Sequence, residues 1–458
     1  MSSLENTIPA KANNPSAREL PSGVLHRPLW LSNRWRFLRN VATLSAGTAL
    51  AQSVSVILTP VITRLYSPAD LGVLGLFTSF LGVATVGTSL RYELGIVSAG
   101  TEKEAAQLTS ASMLLGLPVS LLCGFALYAM IRFSWFGYSL LPGYAVPMMV
   151  ATLFLTATFT NLRYWEVRQE GFARIARASL VQQSIRSICQ AALGLVGLGP
   201  AGLLSGEMLG RGAGIGSLFR HAWPALKNAM KSPRSDFANT LRSNRKLVIY
   251  SLPSSLIDTL ASNMLVPLMV LLYGSSTGGQ FALMQKVLAV PFALIATSVA
   301  DTFHSRLAVC VREKPGQLLP LFARTSVGLF FVGLVPAFIL FFAGDRLFAF
   351  AFGKPWALAG TLASITAPFF LAQMVVSPLS RLVFVLRGQE SKLIYDLLVM
   401  TGILLTFWVA RTYKLNLIHT VWAITLVNTF AYVVYYLVLL RIIIRARLDW
   451  PSPIPQEP

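Results

Sequence analysis

Apolar runs of about 20 residues recur along most of this chain and constrain its fold more than any other feature. Each run is long enough to cross a bilayer as a helix. Only 12% of the 458 residues are charged, whereas soluble proteins carry about 25%. Too little polar surface remains to cover a folded body of this size in water. The runs therefore predict an all-α membrane protein of about 12 transmembrane helices.

The predicted helices form two sets of six, one in each half of the chain. The first set has bounds near 41–63, 71–97, 108–133, 145–163, 177–198 and 201–220. The second set has bounds near 247–272, 278–302, 318–343, 357–386, 392–410 and 417–444. The predicted domains are a disordered cytoplasmic tail (1–40), a six-helix bundle (41–222), a basic cytoplasmic linker (223–246), a second six-helix bundle (247–445) and a cytoplasmic tail (446–458).

Basic residues are distributed unevenly among the loops. With a cytoplasmic N-terminus, only six of the 38 lysines and arginines fall in loops on the opposite side. Cytoplasmic loops of membrane proteins are enriched in these residues, so both termini are expected in the cytoplasm. The same enrichment accounts for the net charge of +20 without a nucleic-acid partner.

A short motif indicates that the two halves are related. Residues 60–66 begin with proline and end with tyrosine, and Gly72 follows. The same residue types recur at 267–273 and Gly279, at one offset of 207 residues (Tyr66 to Tyr273). The pattern favours a parallel repeat of two bundles around a central cavity; a chance match of common residues is the alternative.

No catalytic or metal-binding pattern is present in the sequence. The three cysteines and four histidines lack the spacing of zinc or disulfide frameworks. P-loop, dinucleotide-binding and nucleophile-elbow motifs are also missing. The sequence therefore predicts a protein that is not an enzyme and has no cofactor, driven either by coupling to a proton or sodium gradient or by downhill movement of its substrate.

Charged residues inside predicted helices are the candidate functional residues, because a charge in hydrocarbon usually faces a bundle interior or a wet cavity. Five basic residues are predicted to bind substrate in a cavity: Arg91, Arg186, Arg211, Lys286 and Arg381. Three acidic residues are predicted to couple an ion: Glu93, Asp258 and Asp301. The excess of positive charge suits an anionic substrate, since guanidinium groups match phosphate oxygens.

Structural roles remain open for several of these charges. Arg91 and Glu93 are two residues apart and would project to different sides of a helix; an interfacial pair is the alternative. Asp258 and Lys286 either pair with each other or serve as ion site and substrate contact. Arg211 and Arg381 each lie either at cavity depth or at the cytoplasmic rim.

One predicted helix carries a polar face. Gln182, Arg186 and Gln190 are spaced four residues apart and share one side of the fifth helix. This face is expected to line a cavity, with a buried polar contact between helices as the alternative. The charges around Glu166 are expected to form an interfacial cluster at the end of the fourth helix.

Three segments resemble the N-terminal signature of bacterial polysaccharide-repeat lipid flippases: Leu44–Gln52, Thr59–Gly72 and Leu90–Leu94. These flippases belong to the multidrug/oligosaccharidyl-lipid/polysaccharide exporter superfamily. The resemblance implies two bundles in a V shape that move an undecaprenyl-pyrophosphate-linked oligosaccharide across the bacterial inner membrane. It implies a role in O-antigen (lipopolysaccharide), capsule or exopolysaccharide synthesis.

The same resemblance implies cationic cavity residues that receive pyrophosphate and acidic sugars, with proton or sodium coupling in some members. Expected partners are membrane lipid, a polysaccharide polymerase and chain-length proteins. The triplet Arg91-Tyr92-Glu93 matches the family pattern, whereas the other candidate charges rest on the burial argument alone.

Two other functions are alternatives to lipid-linked glycan transport. A drug exporter of the same superfamily would favour an acidic cavity for cationic drugs, whereas this chain is predicted to have a basic one. A glycan ligase or polymerase would expose a large outer loop with acid and base residues. The predicted outer loops are short, which disfavours an enzyme.

Overall fold

The computed structural model describes residue 47 and residues 50–245, 247–313, 315–386 and 389–448. The predicted tail at residues 1–40 and all but the first residues of the tail at 446–458 lie outside these ranges. A few helical side chains, including that of Asp301, are also outside the described part. Within the described ranges, the secondary structure is helical and contains no β-strand. The predicted all-α fold class is confirmed.

Sixteen α-helices, α1 to α16, follow one another along the described chain. In the first half these are α1 Leu50–Leu65, α2 Pro68–Thr88, α3 Glu93–Ser98, α4 Glu102–Arg132, α5 Ala145–Arg168, α6 Phe172–Leu195, α7 Pro200–Gly212 and α8 Ile215–Met230. The linker contains α9 Arg234–Ser243. The second half contains α10 Leu252–Asn263, α11 Leu265–Glu313, α12 Leu318–Phe352, α13 Ala357–Leu379, α14 Leu382–Val385, α15 Gln389–Thr412 and α16 Leu417–Leu448. Within the described ranges, eight helical segments are long and apolar enough to cross a membrane.

Several predicted membrane passes are built from more than one helix. The second pass breaks between α2 and α3, where Leu90 (φ 48°) and Arg91 (φ 64°) are left-handed, a region that side chains larger than glycine rarely adopt. The sixth pass breaks at Gly214 (φ 79°). Gly274 (φ 85°) separates the seventh and eighth passes within α11. Joining the pieces reproduces the order of the predicted passes.

The end of the signature segment Thr59–Gly72 caps the start of α2. The Asp70 backbone N–H donates to Ser67 Oγ (3.2 Å), and the Ser67 N–H donates to Asp70 Oδ2 (2.9 Å). These two bonds form a capping box, and Pro68 occupies the first turn, where its missing N–H costs no hydrogen bond. The cap fixes where α2 begins and therefore where Gly72 lies.

The two halves meet at four residues that we call the glycine crossing: Pro68, Gly72, Ser275 and Gly279. A Cβ atom on Gly72 would overlap the carbonyl oxygen of Ser275, and one on Gly279 would overlap that of Pro68. The offset of 207 residues converts one contact into the other, because it maps Gly72 to Gly279 and Pro68 to Ser275, as a pseudo-two-fold axis requires. The predicted repeat is thus confirmed, because its matching glycines pack α2 against α11.

The matching tyrosines anchor the repeat within each half. Tyr66 Oη donates to the carbonyl of Gln190 (2.7 Å), and Tyr273 Oη donates to the carbonyl of Leu415 (3.0 Å). Burial raises the pKa of Tyr66 to about 12, so its hydroxyl remains a proton donor at neutral pH. Each tyrosine ties the end of one helix to a later segment of the same bundle.

The largest hydrophobic core lies between the halves. It includes Phe77 of α2, Met269 and Met284 of α11, and Trp356 before α13. The Trp356 indole N–H donates to the carbonyl of Thr63 (2.8 Å) in the other half. Apolar packing across the repeat therefore joins the bundles into one core.

Candidate functional site

Close packing of α6 on α7 creates a buried ion cluster in the first half. A Cβ atom on Gly210 would overlap the side chain of Arg186, so only glycine allows the helices to come this close. Glu207 projects between two arginines and has a side-chain exposure of 2%. Its carboxylate lies 3.3 Å from Arg186 Nη1 and 2.9 Å from Arg211 Nε. The arginines supply the charge that keeps this buried carboxylate ionised.

A cavity of about 270 Å³ opens beside this cluster. We call it the arginine pocket, and its lining residues are Gln52, Gln182, Gln183, Arg186, Gly210 and Arg211. Arg186 Nη2 also donates to Ser55 Oγ of α1 (3.3 Å). Lys286 of α11 interacts electrostatically with both Glu207 and Arg186. Two arginines thus contact one carboxylate, and a lysine of the other half adds its charge to the same cluster.

The structure brings together three predicted substrate residues, Arg186, Arg211 and Lys286. The polar face of α6 combines the two predicted roles, cavity lining and a buried polar contact between helices. Gln182 lines the pocket and donates to the carbonyl of Arg211 (2.9 Å). Gln190 is buried and donates to the carbonyl of Leu203 (3.1 Å), which is a polar contact between helices.

Sequence reasoning missed Glu207, the acceptor at the centre of the cluster. One signal was present, because Glu207 lies four residues before Arg211 in the predicted sixth helix, which is ion-pair spacing. The second arginine comes from another helix, so only the packing of α6 on α7 reveals the three-membered cluster.

The prediction that Arg91 and Glu93 project to different sides of a helix is wrong. The chain leaves the helical conformation at Leu90 and Arg91, so the two side chains meet, with 3.5 Å between Arg91 Nη1 and Glu93 Oε1. Arg91 Nη2 donates to Ser255 Oγ of α10 (2.7 Å). This arginine therefore connects the first half to the second. Its ion-pair partner Glu93 is buried, with an exposure of 4%.

A larger cavity of about 520 Å³ lies in the second half. We call it the tyrosine pocket, because Tyr395, Tyr432 and Tyr435 line it. The rings of Tyr395 and Tyr435 are stacked, with centroids 4.4 Å apart and an interplanar angle of 20°. Its polar lining includes Asp258, Gln373, Lys392, Asp396, Thr425 and Asn428.

An ion triad occupies one side of the tyrosine pocket. Lys392 Nζ lies 2.6 Å from Asp396 Oδ2 and 3.5 Å from Asp258 Oδ1. Asp258 therefore pairs with Lys392 rather than with Lys286, which correspondingly interacts with the arginine pocket. Sequence reasoning missed Lys392 and Asp396, although their spacing of four residues at the start of a predicted helix marked them as a pair.

Three other predicted residues have separate outcomes. Arg381 is exposed and lies at the break between α13 and α14, next to Ser380, which lines the tyrosine pocket. The side chain of Asp301 lies outside the described residues. The side chain of Glu166 is 0% exposed and pairs with Arg174 Nε of α6 at 2.7 Å, while its interfacial position stays a prediction.

Two helical bundles with polar pockets among apolar helices define a fold known from membrane transporters. The lipid II flippase MurJ in an inward closed conformation superposes with a TM-score of 0.67 and 12% identity, covering 89% of this chain and 93% of that one. An inward-facing multidrug resistance MATE family transporter of the MOP superfamily gives a TM-score of 0.62 and 16% identity, covering 89% and 96%. A MOP superfamily transporter from Pyrococcus furiosus gives 0.50 and 16%, also covering 89% and 96%.

The sequence identifies the family within this fold. The profile of a family described as "polysaccharide biosynthesis protein" matches residues 61–360, well over half of the chain. The chain belongs to this family, and the resemblance found in its N-terminal signature is confirmed. No curated protein matches the chain in sequence.

Proposed function

We propose that this protein moves an undecaprenyl-pyrophosphate-linked oligosaccharide across the bacterial inner membrane, in the synthesis of a surface polysaccharide. The single observation that carries the proposal is the arginine pocket. Arg186 and Arg211 contact Glu207 among apolar helices, and the charge of Lys286 acts on the same carboxylate from the other half. Pyrophosphate is a multivalent anion, and arginine forks bind its oxygens with good geometry.

The architecture suits a lipid with a polar head. Two bundles that rock against each other would give alternating access. When they part, the lipid tail would have a lateral path between them, while the head group follows the charged pocket. Membership of a polysaccharide biosynthesis family and a fold shared with a lipid II flippase support this substrate class.

The driving force is proposed to be a proton or sodium gradient. Glu93 and Asp258 remain the proposed coupling residues, together with Asp301. Both described carboxylates have a basic partner, Arg91 and Lys392 respectively. A coupling ion would therefore compete with that partner, and its binding would release Arg91 from Glu93 or Lys392 from Asp258.

Deletion of the gene tests the function directly. The proposal expects undecaprenyl-linked repeat units to accumulate on the cytoplasmic leaflet while surface polysaccharide disappears. Restoring the intact gene should reverse both effects, and the Arg186→Ala variant should not. Arg132→Ala is the matched control, because Arg132 is exposed at the end of α4. Normal polysaccharide without accumulation in the deletion strain would reject the proposal.

Export of cationic drugs is the second candidate function. The observation that favours it is the tyrosine pocket, where aromatic rings lie beside the carboxylates of Asp258 and Asp396. Aromatic faces and carboxylates both attract organic cations. If the deletion strain makes normal polysaccharide but becomes sensitive to lipophilic cations, drug export replaces glycan transport as the function.

A further inference from the structure

The tyrosine pocket contains buried hydroxyl groups that the protein leaves unsatisfied. Tyr435 is 3% exposed and Thr425 is 1% exposed, and both line the pocket. Among the described residues, neither Tyr435 Oη nor Thr425 Oγ1 has a hydrogen-bond partner. Buried polar groups in native proteins nearly always have one, so these hydroxyls point to a polar guest in the pocket.

Aromatic rings form a continuous wall next to these hydroxyls. Tyr395 stacks on Tyr435, the Tyr432 ring lies 5.5 Å from that of Tyr395, and the Phe369 ring lies 5.8 Å from that of Tyr432. Tyrosine presents an apolar face and a polar tip, a combination that matches the C–H face and hydroxyl rim of a pyranose. The Gln373 amide adds a donor and an acceptor to the lining.

The charge of the pocket limits which sugars fit. Two carboxylates, Asp258 and Asp396, share the single ammonium group of Lys392. The remaining negative charge opposes a carboxylated sugar and tolerates a neutral or amino-bearing one. A volume of about 520 Å³ falls within the range of small-molecule sites, about 300–1,000 Å³.

We propose that the tyrosine pocket binds pyranose rings of the glycan and selects them by charge, accepting neutral and amino sugars and rejecting uronic acids. The identity of the glycan as substrate rests on the proposed function. Pyrophosphate and sugar are then held in different halves, the first by the arginine pocket and the second by the tyrosine pocket. The hydroxyls of Tyr435 and Thr425 favour a sugar, whose hydroxyl rim can pair with both, over an aromatic cation, which offers fewer hydrogen-bonding groups.

Direct sugar binding to the full chain in lipid nanodiscs tests the pocket. The probes are trimers of N-acetylglucosamine, glucosamine and galacturonic acid, titrated by ligand-observed saturation-transfer NMR. The first two are expected to bind at least about tenfold more tightly than the acidic trimer. Tyr435→Phe and Thr425→Val should each weaken binding about threefold, since each removes one hydrogen bond and little packing.

A control variant and a competitor complete the experiment. Tyr413→Ala should leave sugar binding unchanged, because Tyr413 is 71% exposed and lies outside the pocket lining. Ethidium, an aromatic cation, should not displace the neutral trimer. Asp396→Asn should reduce the difference in binding affinity between the neutral and the acidic trimers.

Four results would overturn the proposal: no binding by any trimer, tightest binding by the acidic trimer, unchanged binding in both hydroxyl variants, or displacement by ethidium. Failure of the proposed function has a different signature, because the deletion strain then keeps its polysaccharide whatever the nanodiscs bind. If deletion causes lipid-linked repeats to accumulate but pocket variants bind sugars normally, only the sugar site is rejected.

Discussion

The arginine pocket and the tyrosine pocket lie in halves that repeat each other, yet their chemistry is opposite. The first is small and rich in amides, and beside it two arginines contact one carboxylate, with the charge of Lys286 acting from the other half. The second is larger, lined by aromatic rings, and holds two carboxylates around one lysine. The shared scaffold lies in the glycine crossing and the tyrosine anchors, which match at the offset of 207.

This difference shows which parts of the repeat carry the fold and which carry function. The two crossing glycines are constrained by backbone contact, because a side chain at Gly72 or Gly279 would overlap the backbone of the other half. The pocket residues face space instead, so each half can carry different side chains without loss of packing. Opposite charge in the two pockets suits a substrate with an anionic end and an uncharged or cationic end.

The largest expected effect concerns the two crossing glycines and tests whether folding depends equally on both. Gly72→Val and Gly279→Val should each lower the amount of folded protein in membranes about tenfold or more, because backbone atoms block the new side chain. Quantitative blotting of membrane fractions measures this. Gly87→Val is the control in the same helix, since its Cβ would meet open space. A severe loss of folded protein in only one of the two variants would show that the crossing is not symmetric.

The ion clusters of the two pockets should contribute differently to the free energy of unfolding. Glu207→Ala leaves two arginines facing each other and should lower the free energy of unfolding by about 3 kcal/mol, because Glu207 is 2% exposed. Asp258→Ala should cost less than about 1 kcal/mol, since that side chain is 61% exposed. Denaturant titration in detergent gives both values. Equal losses would contradict the assignment of one buried and one solvated cluster.

Substrate recognition in the arginine pocket should depend on guanidinium geometry. Arg186→Ala should lower polysaccharide export about tenfold, the loss expected for one charge-assisted hydrogen bond. Arg186→Lys should recover little export if two-pronged contact matters and most of it if charge alone matters. Surface polysaccharide normalised to membrane abundance is the measurement. Full export in the alanine variant would remove this pocket from the transport path.

The smallest effect concerns the ammonium group in the tyrosine pocket. Lys392→Met leaves Asp258 and Asp396 without their cation and should tighten binding of the glucosamine trimer about threefold, as expected for a partly solvated charge. The N-acetylglucosamine trimer should bind as before. NMR titration of both trimers separates the charge effect from a change in pocket shape, which would alter both.

Much of the fold could be predicted from residue order, since local hydrophobicity reports each membrane pass. The break in the second pass could not, because Leu90 and Arg91 carry no glycine or proline signal and adopt left-handed backbone under tertiary contact. The burial of Glu166 could not be predicted either, because it depends on the start of α6 packing over the end of α5.

The sequence alone determined the all-helical membrane class, the two related halves and the family signature, because these depend on periodic hydrophobicity and on residues close in sequence. Only the tertiary structure decided the partner of each charge. Glu207 joins Arg186 across two helices, and Lys392 rather than Lys286 meets Asp258. Ion pairs form between side chains a few ångströms apart in space, and the packing of helices far apart in sequence sets those distances.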